Sequence, residues 1–187
     1  MERKKLTRSR RSYYDDYKKT ASGEYIYAGP EYEYISKNGT SRKKWMLMLI
    51  LLDIIAFAVV LIPGFLHVPG LNYCAYVILP YAAGILLTGY LLVVLIRLAA
   101  ARDSVKAWEY DRSVKVLPTA TVGAVIVGAL NVVCEIVYIA KNGAGDKLNC
   151  AIIYIVCFAV LAVLAVFMAK TVLSAEWKRK SSDSPEF

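Results

Sequence analysis

The sequence predicts an all-α integral membrane protein: a four-transmembrane-helix antiparallel bundle with its N and C termini in the cytoplasm. Three observations predict it. Of the 187 residues, 58% are hydrophobic, and mean hydropathy is +0.46, which is a membrane composition. Four apolar stretches, 45–66, 73–101, 117–139 and 148–173, each supply the ~20 residues that cross a ~30 Å hydrocarbon core at ~1.5 Å per residue. The basic residues are unevenly placed: 12 Lys and Arg in residues 1–44, none between the first two spans, five from Arg97 to Lys115, two between the last spans and four from Lys170 onward. That bias puts both termini and the 102–116 loop inside, in the cell membrane.

Residues 1–44 form a basic, tyrosine-rich tail. Its first 23 residues lack apolar periodicity, so disorder or loose contact with the membrane surface is expected. No cleavable signal fits the polar start, so the first span is expected to remain in the protein. Residues 24–35 read EYIYAGPEYEYI and predict a short β-hairpin about Ala28–Glu31. Tyr27 would face Tyr32, Tyr25 would face Tyr34, and Ile26 would pair with Glu33. Such a hairpin is marginal alone and needs a third strand, a protein surface or the headgroup layer. Tyr25, Tyr27, Tyr32 and Tyr34 are thereby candidate partner contacts. Asn38-Gly39-Thr40 reads as a turn, because a sequon on a cytoplasmic tail never meets the glycosylation machinery.

Asp53 lies well inside the first span, where an acid costs ~2.5–3.5 kcal/mol on insertion scales and must find a partner or water. Arg97 is its candidate ion-pair partner, since helical side chains lean toward the N-terminus and span two runs inward. The pair reads either as a structural bridge or as part of a proton or cation relay. The outer connection from His67 to Asn72 is short and uncharged, making the first two spans neighbours. Pro80 predicts a kink in span two beside small residues.

The charged 102–116 loop reads as helix, with Glu109 and Arg112 at i,i+3 spacing and Trp108 on a narrow apolar edge, a further candidate contact. Pro118 suits the start of span three. Ala120, Ala124 and Gly128 form a small-residue stripe for helix packing or a homo-oligomer. Glu135 is expected to snorkel to the outer surface and Asn131 to bond across helices. The turn 141–146 makes spans three and four a second hairpin, and residues 174–187 are a cytoplasmic tail carrying Lys178-Arg179-Lys180.

Four cysteines, Cys74, Cys134, Cys150 and Cys157, sit toward the outer side. They read first as small apolar packing residues; Cys134 with Cys150 is the candidate disulfide, Cys74 with either could also meet across helices, and Cys150 and Cys157, ~10 Å apart along one helix, cannot bridge. In outline the chain resembles the quinone-dependent disulfide oxidases of bacterial membranes, but it has neither their C-x-x-C pair nor their long second external loop. It resembles the small multidrug exporters in its four short-looped spans and an acid in span one, and differs in its 44-residue tail.

A single histidine, His67, excludes a multi-histidine metal site, and no nucleophile-elbow, zincin or P-loop pattern is present, so neither enzyme chemistry nor a cofactor is implied. The net charge of +8 sits beside spans without a nucleic-acid motif, which points to the lipid bilayer and not to nucleic acid. The functional expectation is a non-catalytic accessory subunit, adaptor or scaffold that docks a protein partner on its cytoplasmic face. The alternatives are a small transporter or ion-conducting oligomer using Asp53 and Arg97, and then a membrane thiol oxidoreductase.

Overall fold

A computed structural model describes residues 17–19, 23–35, 39–101, 104–143 and 145–180. Four of its helices are long and apolar enough to cross a membrane. Ser41 caps the first, α1 (Arg42–Leu61), its Oγ accepting from the Lys44 N–H, which satisfies one of the first turn's orphan donors. Pro63 then tightens a 3₁₀ turn at Ile62–Phe65. A single short helix, α2 (Pro69–Tyr73), leads into α3 (Ala75–Ala100). Next come the helical turn α4 (Ala107–Glu109), a π-helical turn at Tyr110–Val114, α5 (Val116–Asn142) and α6 (Leu148–Leu173). Gly143, at φ 71°, ends α5, a left-handed conformation that glycine adopts without a Cβ clash.

The long helices close a square in which α1 packs on α3 and α6, and α5 packs on the same two. α5 and α6 approach closely at Gly128, where a Cβ would lie 3.1 Å from the Ala162 Cβ and 3.2 Å from the Phe158 carbonyl oxygen of α6. Ala120 and Ala124 are buried on the same face of α5. Small side chains let two backbones approach where lipid supplies no hydrophobic drive for association.

Among the described residues, five short strands lie outside the helices: β1 (Tyr17–Lys19), β2 (Tyr25–Tyr27), β3 (Glu31–Ile35), β4 (Ser104–Lys106) and β5 (Glu176–Lys180). β1 and β2 pair with each other, while β3 is the centre of an antiparallel sheet in the order β4–β3–β5. The sheet gathers the segment before α1, the α3–α5 connection and the segment after α6. Those three segments therefore share one end of the bundle, and the helices alternate in direction.

The predicted hairpin does not form. Tyr27 stands opposite Tyr17, while Tyr32 stands opposite Val105 on one side and Arg179 on the other. A pairing of β2 with β3 would leave the outer edge of β3 without a partner. With β4 and β5 alongside, β3 is paired on both edges, which a local hairpin cannot match. The helical reading of the 102–116 loop is corrected in part for the same reason: Ser104–Lys106 is strand, with Val105 fully buried, and helical turns begin only at Ala107.

Two core clusters fill the bundle. One, toward the sheet, includes Trp45, Leu49, Leu91, Leu95, Leu117 and Met168; the other, toward the far end, includes Ala56, Val60, Val68, Tyr154, Phe158 and Leu161. In α1, Asp53 falls between Leu49 of the first and Ala56 of the second.

Candidate functional site

At the sheet end, period-2 alternation puts Tyr32 and Tyr34 on one face of β3. Tyr32 stacks on Tyr110 with ring centroids 4.0 Å apart, and Tyr34 sits between Trp45 of α1 (5.3 Å) and Trp177 of β5 (5.7 Å). Trp45 is buried and donates its Nε1–H to the Thr171 carbonyl of α6 at 3.1 Å. Burial pushes the Tyr34 phenol above its ordinary range. Glu33 accepts from Lys180 across the sheet at 3.1 Å, and that bond and charge raise the Lys180 ammonium.

Two of the candidate contacts, Tyr32 and Tyr34, are thus built into the protein's own cap. Tyr27 is half-buried: its hydroxyl donates to the Pro30 carbonyl and accepts from the Ala107 N–H. Trp108 is also half-buried, and only Tyr25 of the four tyrosines is largely exposed, at 69%.

Arg42 was not singled out by its spacing, yet it joins three parts of this end. Its Nη2 donates to the Leu98 and Ala101 carbonyls at 2.9 and 3.3 Å, and its guanidinium lies 5.9 Å from the Trp177 ring. A cation on the last carbonyls of α3 meets both their orphan acceptors and the negative end of the helix dipole. The only available signal was a basic residue at a helix start, facing a neighbour's C-terminus that the sequence cannot place.

Deeper in the bundle, Asp53 is 0% exposed and neither carboxylate oxygen has a hydrogen-bond partner. Among the described residues, no ion pair joins it to Arg97, which is exposed in the last turn of α3. The reason is angular: Leu98 faces the core, and the residue before it is turned ~100° away. Arg97 therefore lies on a face of α3 that does not turn toward Asp53.

Glu135 is also 0% exposed, which corrects the expectation that it snorkels. It points at the backbone of Gly70, near the start of α2, where any Cβ would collide with Oε2. One turn deeper, Asn131 donates from Nδ2 to the Pro80 carbonyl (3.0 Å) and to Val127 (2.8 Å), while its Oδ1 accepts from the buried Tyr154 hydroxyl. Pro80 removes one backbone donor from α3, and Asn131 ties α3 to α5 and α6 at that level. Tyr154 was missed because a tyrosine within an apolar run reads as bulk until its hydroxyl finds a partner.

The four cysteines are free thiols, so no disulfide joins Cys134 to Cys150. Among the described residues, no group of three or more His, Cys, Asp or Glu is placed to hold a metal. No protein-family model, curated protein or solved structure matches the chain.

Proposed function

We propose that the protein is a non-catalytic subunit of the cell membrane that docks a cytoplasmic protein partner on its sheet end. The observation that carries this reading is the cap itself: three polar segments, far apart in sequence, converge on one sheet in which, among the described residues, no further strand pairs with β4 or β5. An open edge is a template for an added strand. Lys178, Arg179 and Lys180 make the β5 edge basic and exposed, which suits an acidic extended segment. The excess of Lys and Arg on the segments of this end supports a cytoplasmic side for it.

Affinity purification in mild detergent tests the reading with the intact chain, a chain lacking residues 1–35, and Lys178→Glu with Arg179→Glu. A near-stoichiometric partner is expected with the intact chain alone. If no partner accompanies the intact chain, or if both variants retain it, docking on the cap is wrong.

The two buried carboxylates favour a second reading, a small proton- or cation-coupled transporter or ion-conducting oligomer. An ionisable group held inside a membrane bundle without a countercharge is expensive, and such groups mark ion pathways. Flux in liposomes checks it: Asp53→Asn and Glu135→Gln each abolish coupled flux if the carboxylates carry the ion. Wild-type liposomes without flux exclude it.

A further inference from the structure

We propose that the chain binds one anionic phospholipid in the groove between the first turns of α1 and the last turn of α3. The groove has a volume of about 240 Å³, lined by Arg42, Lys43, Met46, Leu47 and Ile50 of α1 with Ala99 and Ala101 at the end of α3. Its two ends differ in chemistry. Arg42 and Lys43 lie at the mouth beside the cap, and among the described lining residues there is no carboxylate. Met46, Leu47 and Ile50 continue the groove along the span, with Leu47 59% exposed to the bilayer side.

That polarity runs in the same direction as a lipid in the adjacent leaflet, with the phosphate at the cationic mouth and the upper acyl chain along the apolar wall. Small side chains at Ala99 and Ala101 make the recess, because a larger residue at the end of α3 would fill it. Arg42 is already fixed on the Leu98 and Ala101 carbonyls, so its guanidinium is held at the mouth before any lipid arrives. Fixing the cation in advance lowers the ordering cost of binding. Lys43 is an exposed, flexible ammonium one residue on, positioned to complete the charge match. A basic residue beside the membrane adds attraction worth about fivefold in affinity for anionic lipid. Two such residues around a shaped apolar recess distinguish one bound lipid from general attraction to the surface.

The experiment is native mass spectrometry of the full chain released from nanodiscs of equal parts phosphatidylglycerol and phosphatidylcholine. The expected result is one retained phosphatidylglycerol, favoured over phosphatidylcholine by at least about fivefold. Lys43→Gln should lower that preference about fivefold, and Leu47→Trp, which fills the recess, should abolish retention. Lys44→Gln removes the same charge outside the groove and should leave retention unchanged. Arg42→Gln is unsuitable alone, because it also uncaps α3. Equal retention of the two lipids, or equal loss in the Lys43 and Lys44 variants, would overturn the proposal.

Discussion

The two ends of the bundle are closed by opposite means. At the sheet end the chain is long and polar, three segments supply backbone partners for one another, and the seal is aromatic: Tyr34, Trp45, Trp177 and Tyr110 over an apolar core. At the far end the connections are short, and Pro63, Val68, Pro69 and Gly70 are buried while Gly64, Phe65 and His67 stay exposed. A buried connection has no strand partners, so helix side chains attend to it, Glu135 at Gly70 and Tyr81 at Gly64. The difference teaches where polar residues belong in a small membrane bundle. Where the chain can fold on itself outside the bilayer the seal is apolar, and where it cannot, the polar groups move into the helices.

Breaking the aromatic seal has the largest expected effect. Trp45→Ala removes a buried indole and should cost about 3–5 kcal/mol, read as a lowered thermal midpoint in detergent and faster trypsin cleavage at Lys178. An unchanged cleavage rate would mean that the cap holds without the α1 contact.

At the far end, Gly70→Ala puts a methyl group into Glu135 and should cost about 1–3 kcal/mol. The double variant with Glu135→Ala should recover most of that loss, and failure to recover it would detach Glu135 from the connection. A smaller loss, about 0.6–2 kcal/mol, is expected for Tyr154→Phe, which leaves Asn131 Oδ1 without its donor; equilibrium unfolding in mixed micelles measures it.

The smallest expected effect is the pH response of the cap. The folded Lys180 ammonium holds its proton above the ordinary value of 10.5 because of Glu33, so the contribution is complete at neutral pH and fades as pH rises past that value. Burial of Tyr34 acts in the same direction, since its phenol ionises first in the unfolded chain. Trp177 fluorescence should therefore report loosening of the cap only in the alkaline range. Glu33→Gln should remove the lysine part and leave the tyrosine part, and an identical titration in both chains would leave the ion pair without a role.

Much of the bundle was legible in advance, for identifiable reasons. The span 148–173 coincides with α6, because the turn residues before it and the charged residues after it bound a single apolar run. The Gly128 stripe was legible because small residues at four-residue spacing have few uses in a membrane helix other than close packing. The tyrosine segment was misread because local alternation identifies strands without naming their partners. Glu135 was misread because its distance from the helix end says how deep it lies and not which face it occupies.

By itself, the sequence determined the number of spans, their lengths and the convergence of the charged segments on one side, all of which follow from hydropathy and charge counted along the chain. Tertiary structure alone decided that β3 pairs with strands more than 70 and 140 residues away, that Asp53 faces the core while Arg97 does not, and that Glu135 is enclosed. Those outcomes depend on the rotation of each helix and the register of each strand. Both are set by the total burial and hydrogen bonding of the assembled molecule, which no local stretch of chain contains.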